Sequence, residues 1–189
     1  MIRIGILGDI GSGKSFVAKK FGFPVFNADE EVASLYKKDK KIYKKLNKIL
    51  PNYFQSFPIN KKEVLNAILS NNINLKKIIK IIHLEIRKKL NIFLQKHKNK
   101  KFVVLDIPLL LENKINKKND ILIFVQSKRK DIIKKLIERK NFNQKILNKF
   151  RNIQLPLDLK KKNSSFIIKN NFTKKSVNKE VKTILKKIL

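Results

Sequence analysis

The stretch Gly8-Asp9-Ile10-Gly11-Ser12-Gly13-Lys14-Ser15 constrains this chain more than any other. A glycine followed five residues later by Gly-Lys-Ser spells a loop whose backbone N–H groups turn inward around phosphate oxygens. Such a loop needs a strand before it and a helix after it. The flanks supply both. "IRIGIL" at 2–7 is a short apolar run, and Phe16, Val17 and Phe21 fall on one helical face. Gly8, Asp9, Ile10, Gly11, Ser12, Gly13, Lys14 and Ser15 are therefore expected to hold the phosphates of a nucleotide. Lys14 brings positive charge to the β- and γ-phosphates and Ser15 a hydroxyl to Mg²⁺. Asp9 is out of place. A carboxylate beside a polyanion weakens binding unless its side chain points away.

Four further apolar runs read as strands: "FPVFNAD" at 23–29, "FVVLD" at 102–106, "ILIFV" at 121–125 and "FIIKNN" at 166–171. Between them the apolar spacing is helical. Residues 30–50 carry it through Val32, Leu35, Tyr36, Ile42, Tyr43 and Leu46, and a breaker follows at 51–60. Val64, Leu65, Ile68 and Leu69 predict a short helix, and Leu75 to Phe93 a longer one. Two more are predicted around Ile132–Ile137 and Val177–Ile188. Residues 140–165 are polar and Lys-rich with few core signals, which suits a mobile flap. Alternating strands and helices predict an α/β fold with a five-stranded, mainly parallel sheet flanked by helices. Ligands in such sheets bind beyond the carboxyl ends of the strands. The loop, Asp29 and Asp106 all fall at expected strand ends.

A chain of 189 residues fits one domain. It has no cysteine, which excludes disulfides, thiolate metal sites and cysteine nucleophiles. No apolar run approaches the roughly 20 residues of a membrane helix. A cytoplasmic location with no membrane partner is expected. The formal charge is +32, which raises a nucleic-acid partner. However, 41 of the 46 basic residues are Lys and five are Arg. Base readout favours the bidentate fork of Arg. Abundant Lys, Asn and Ile also follow from A/T-rich codons, so no specific nucleic-acid partner is expected.

Two carboxylates have open roles at this level. Asp29 fits a group that orients an attacking hydroxyl and takes its proton, and equally a helix N-cap. Asp106 fits the magnesium-side acid of a phosphate-transfer site, and equally a strand-end cap. His83, on an amphipathic stretch, reads from the residues alone as a packing or surface histidine. A GTPase would carry Asn-Lys-x-Asp after a late strand. "NKKND" at 116–120 precedes its strand and has the wrong spacing.

Taken in order, the pieces resemble the dephospho-coenzyme A kinase family over nearly the whole chain. "GDIGSGKS" is similar to its Gly-Gly-Ile-Gly-Ser-Gly-Lys-Ser, and "NADEEVASLY" to its Asp-Ala-Asp segment. "HLEIR" at 83–87 resembles His-Pro-x-Ile-Arg, and "DIPLLLE" at 106–112 resembles Pro-Leu-Leu-[Phe/Leu]-Glu. "IQLPLDLKKKNSSFIIKNN" resembles Gln-Met-Pro-x-x-x-Lys followed by Ala-Asp-x-Val-Ile-x-Asn. Some positions depart from the pattern. Asp9 stands for Gly, Asn27 for the first Asp of Asp-Ala-Asp, and Leu84 for Pro. Lys62 and Lys135 stand for Arg, Ser164-Ser165 for Ala-Asp, and Phe172 for Gly.

The resemblance implies a P-loop kinase fold. It divides a single domain into a core (1–29, 98–137 and 163–189), a helical substrate region (30–97) and a lid (138–162). It implies ATP-dependent phosphorylation of the ribose 3′-hydroxyl of dephospho-coenzyme A, giving coenzyme A and ADP, with ATP and Mg²⁺ as cofactors. Asp29 and Lys14 would be catalytic, and Ser15 and Asp106 would hold the metal. Arg139 and Asn170 would join the loop in binding ATP. His83, Arg87, Pro108, Leu109 and Glu112 would meet the acceptor. A monomer is expected, with an oligomer as the alternative. The alternatives are another small-molecule kinase on the same core, or a basic nucleic-acid-binding ATPase.

Overall fold

The computed structural model describes residues 1–139 and 142–189; residues 140 and 141, within the expected lid, lie outside the described residues. The chain divides into two compact units. The first comprises 1–27, 97–143 and 151–189; the second comprises 28–96 and 144–150.

The first unit holds the sheet. Its strands are β1 (Ile2–Gly8), β2 (Val25–Asn27), β3 (Phe102–Asp106), β4 (Ile121–Gln126) and β5 (Phe166–Lys169). They lie in the order β2-β3-β1-β4-β5, and all four pairings are parallel. A parallel sheet covered on both faces needs apolar residues on both sides of each strand. That is why these runs read as nearly continuous Val, Ile, Leu and Phe rather than alternating. All five residues of β3 are buried. All five expected strands form. β2 is shorter than the 23–29 run, however, and stops at Asn27.

The helices of this unit are α1 (Lys14–Lys20), α6 (Arg129–Ile137), α8 (Leu157–Lys162) and α9 (Lys174–Ile188). Helix α9 buries Val177, Val181 and Ile184, a stripe at four- and three-residue steps. Those side chains join Ile4, Ile6, Val17, Ala18, Phe21, Phe102, Val104, Ile123 and Ile168 in one core. Burying each such large side chain contributes roughly 1.5–3 kcal/mol. The Thr173 hydroxyl accepts the Ser176 N–H and starts α9.

The second unit is helical: α2 (Ala28–Lys38), α3 (Lys40–Ile49), α4 (Lys61–Ser70) and α5 (Asn72–Lys96), with 144–150 from α7 (Gln144–Asn152). The helical stretch 30–50 divides because the Asp39 carboxylate accepts the Lys41 and Ile42 N–H groups, capping a new helix. Helix α5 buries Leu75, Ile78, Ile82, Ile86 and Leu90, and α2, α3 and α4 pack on it. The "FPIN" breaker is tied down where the Ile59 N–H reaches the Tyr36 carbonyl.

The stretch 140–165, expected as a flap with little core, carries α7 and α8 and buries little among its described residues. Leu147 is buried, and so is Lys160. The Lys-rich composition hid this, because a lysine that is buried and one that is solvated look alike in sequence.

Arg3 enters the sheet at the end of β1 remote from the loop. Its guanidinium donates to the Asp120 carboxylate, at 2.8 Å through Nε, and to the Ile115 carbonyl at 2.9 Å. The paired side chains are only 8% and 3% exposed. Arg3→Met therefore strands a buried carboxylate, at a cost of about 3–5 kcal/mol. Urea unfolding should show that loss, while nucleotide affinity of the folded fraction stays unchanged.

Candidate active site

The phosphate loop leaves β1, the central strand, and is held from two sides. At Gly13 (φ 89°) an added Cβ would lie 2.3 Å from Asn170 Nδ2, and at Gly11 (φ 85°) one would lie 2.9 Å from Leu136 of α6. The loop backbone thus runs where only glycine fits. The Ser12 carbonyl accepts from Asn170 Nδ2 at 2.8 Å and from Ser127 Oγ at 3.0 Å. The Asn170 carboxamide oxygen in turn takes the Phe172 N–H, also at 2.8 Å. Asn170 is 3% exposed, so the structure places it under the loop as a clamp. Phe172, where the family pattern has Gly, holds φ 63°. The Lys14 ammonium donates to the carbonyls of Asp9 at 2.8 Å and Gly8 at 3.3 Å, which holds its charge at the loop.

The Asp9 carboxylate is engaged on both oxygens. One carboxylate oxygen accepts the Ile10 N–H at 2.7 Å, and the other takes Arg151 Nη2 at 2.9 Å. Arg151 lies in the last turn of α7. Beyond it, Glu112 Oε1 accepts Lys160 Nζ at 2.7 Å and the Leu155 N–H at 3.0 Å. Glu112 Oε2 is buried and has no hydrogen-bond partner among the described residues. Pro108 and Leu109 are half-buried in the turn ahead of it, and Leu110 is buried.

Asp106 ends β3 and is buried. Its carboxylate accepts from Asn27 Nδ2 at 3.1 Å, across the β2–β3 register that pairs the two residues. Ser15 follows Lys14 in the first turn of α1. Arg139 is exposed just past α6, its N–H on the Leu136 carbonyl. The second unit carries the remaining residues. Asp29 is exposed and is the second residue of α2. It is therefore neither a strand-end residue nor the residue preceding the helix, because β2 ends before it and the helix begins at Ala28. His83 and Arg87 lie one turn apart on α5. Burial, and then the Arg87 charge, push the His83 imidazole below its ordinary range, so it is neutral at pH 7.

The model of the dephospho-CoA kinase family matches residues 2–176. The chain belongs to the dephospho-CoA kinase family. A dephospho-CoA kinase of Wolbachia sp. subsp. Brugia malayi is 35% identical over 96% of this chain and 95% of its own length. TT1252 from Thermus thermophilus superposes with a TM-score of 0.77 at 23% identity, over 100% of this chain and 98% of that one. A dephospho-CoA kinase from Campylobacter jejuni does so at 0.65 and 20%, over 98% and 96%. These two likenesses concern the fold, which is that of the P-loop kinases.

Family membership brings a nucleotide and a divalent cation into question. The donors here suit a hard cation. Ser15 offers a hydroxyl and Asp106 a carboxylate, both oxygen ligands of the kind Mg²⁺ takes alongside substrate phosphates. Among the described residues there is no cluster of three or more His, Cys, Asp or Glu that would hold a metal without the phosphates.

Sequence reasoning missed Arg151 and did not foresee that Lys160 is buried on Glu112. A signal existed for the first. With five Arg among 46 basic residues, each Arg marks a place where a planar fork outperforms an ammonium.

His83 yields a pH prediction. The folded group binds its proton less readily than the unfolded one, whose pKa is about 6.5. The unfolded chain then holds more protons, so stability rises with pH. The contribution is complete above roughly pH 6.5 and is lost as pH falls toward the lowered folded pKa. Denaturant unfolding from pH 8 to 5 should show this decline, and His83→Asn should flatten it.

Proposed function

We propose that this chain transfers the γ-phosphoryl group of ATP to the ribose 3′-hydroxyl of dephospho-coenzyme A, giving coenzyme A and ADP, the last step of coenzyme A synthesis. The observation that carries this reading is a built phosphate loop, clamped by Asn170 and Ser127, in a chain of the dephospho-CoA kinase family.

Phosphoryl transfer has a loose transition state, so the protein's task is positioning and charge stabilisation. The loop from Gly8 to Ser15 holds the phosphates through N–H groups other than those of Ile10 and Ser12, which Asp9 takes. Lys14 meets the charge that spreads over the equatorial oxygens as the bond to the leaving oxygen lengthens. Bound Mg²⁺, held by Ser15 and Asp106, would neutralise phosphate charge. Asp29 orients the 3′-hydroxyl and takes its proton. A carboxylate is a weak base, but late deprotonation suffices in a loose transition state. His83, neutral and able to donate, and the exposed Arg87 receive anionic groups of the acceptor, with Pro108, Leu109 and Glu112 beside it. Arg139 and Asn170 serve the ATP side, Asn170 through the loop it clamps. The helical second unit supplies the acceptor-binding surface, and 138–162 acts as the lid whose closure excludes water.

Incubation with Mg-ATP and dephospho-coenzyme A, followed by product analysis, tests the reading; coenzyme A and ADP in equal amounts are expected. Lys14→Ala should lower turnover at least ~10²-fold with the melting temperature unchanged, by analogy with removing one preorganised electrostatic donor. Asp29→Asn should lower turnover by roughly 10²–10⁴-fold, the range for a positioned acid or base. ATP affinity should stay near wild type in that variant. An Asn variant with wild-type turnover would remove Asp29 from the mechanism.

A further inference from the structure

Asp9 and Arg151 are 142 residues apart and meet at 2.9 Å beside the phosphate loop. Their side chains are 15% and 28% exposed, so the pair is largely sheltered from water. The carboxylate is fixed to the loop itself, since its other oxygen takes the Ile10 N–H at 2.7 Å. Arg151 is fixed in its turn. It lies in the last turn of α7, its carbonyl receives the Gln154 N–H at 3.0 Å, and Leu155, which follows Gln154, is pinned to Glu112 at 3.0 Å. Both members of the pair line a cavity of about 540 Å³, together with Ser12, Arg129 and Lys161. The Ser12 hydroxyl is buried there and has no hydrogen-bond partner among the described residues.

A carboxylate on a polyanion-binding loop is unfavourable unless something offsets it. Here the offsetting group is a guanidinium, which forks onto phosphate oxygens as readily as onto a carboxylate. A polyphosphate carries more charge than one Asp, so it competes for the same donor. We propose that Arg151 is a further catalytic residue for the phosphoryl transfer assigned above. It is held at the loop by Asp9 and exchanges the Asp9 carboxylate for oxygens of the transferring phosphate. Asp9 is then a positioning residue. The proposal rests on the nucleotide reading of the preceding subsection.

The competing account is that Arg151 stays on Asp9 and merely neutralises it. The two accounts differ in a double variant. If Arg151 only neutralises Asp9, Arg151→Ala leaves an uncompensated carboxylate at the loop, and adding Asp9→Asn repairs the damage. If Arg151 reaches the phosphate, Asn at position 9 repairs nothing.

The experiment measures turnover, ATP affinity and melting temperature for wild type, D9N, R151A and D9N/R151A. Turnover of R151A should fall at least ~10²-fold, the loss seen for one preorganised donor, and should remain as low in D9N/R151A. D9N alone should bind ATP several-fold more tightly. Should R151A fail to fold, Arg151→Lys keeps the charge without the fork; it should lose at least about tenfold in turnover with its melting temperature unchanged. Wild-type turnover in D9N/R151A, or in the Lys variant, would overturn the proposal. Coenzyme A formation by wild type together with that recovery would leave the function standing and remove only Arg151. No coenzyme A from wild type overturns both.

Discussion

The Asn170 carboxamide occupies the space a side chain on Gly13 would need, and the rest of the site depends on that exclusion. Its Nδ2 donates to the Ser12 carbonyl across 158 residues of chain, while its oxygen holds the Phe172 N–H. Ser127 grips the same carbonyl from the end of β4. The loop on β1 is therefore held by groups that follow β4 and β5. This is possible only because all these strands run parallel and end at one edge of the sheet. A loop that must present N–H groups to a ligand cannot satisfy those groups internally. Its shape has to come from its carbonyls and from packing behind it. The buried clamp does this, and it explains why a polar side chain as enclosed as Asn170 sits where the core would otherwise be apolar.

Charge is arranged with similar economy. Most of the +32 formal charge is lysine, and most of those lysines lie on the surface, where pairs contribute little. The three most sheltered ion pairs among the described residues mostly use what is scarce. Arg3 closes the far end of β1 on Asp120, and Arg151 closes the loop end on Asp9. Lys160 is the exception. It is 1% exposed, and Glu112 and the Leu155 N–H share its corner. An ammonium serves there because one carboxylate oxygen is enough to receive it.

Much of this was legible in the residues. The five apolar runs are the five strands, since a sheet buried on both faces requires them to be continuous. Gly-x-x-x-x-Gly-Lys-Ser placed the loop, and three- and four-residue spacing placed α5 and α9. The errors have local causes. Asn27 ends β2 two residues early because Ala28-Asp29-Glu30-Glu31 is a good first helical turn, with acidic residues near its N-terminus. Asp39 splits a periodic stretch because its side chain caps more strongly than the pattern propagates. The burial of Lys160 left no mark in the residues because it is a lysine among lysines. Phe172 is the departure that no local rule anticipates. At φ 63° it takes a conformation that favours glycine, and its ring comes within 3.5 Å of where a Cβ on Gly13 would stand.

What the sequence determined by itself is what short-range physics determines. Hydrophobic periodicity, turn chemistry and the backbone freedom of glycine act within a few residues, so strands, helices, the loop and the kind of ligand it takes could be read in order along the chain. Only the tertiary structure decided which charges meet. Nothing in the neighbourhood of Asp9 tells that its partner is Arg151, and nothing near Glu112 tells that Lys160 is the lysine, of 41, that it buries. Those pairings join segments far apart in the chain. They depend on strand order and on where α7 and α8 come to rest, and the energy that selects them is electrostatic interaction in sheltered space. That quantity stays small until the fold has excluded the water.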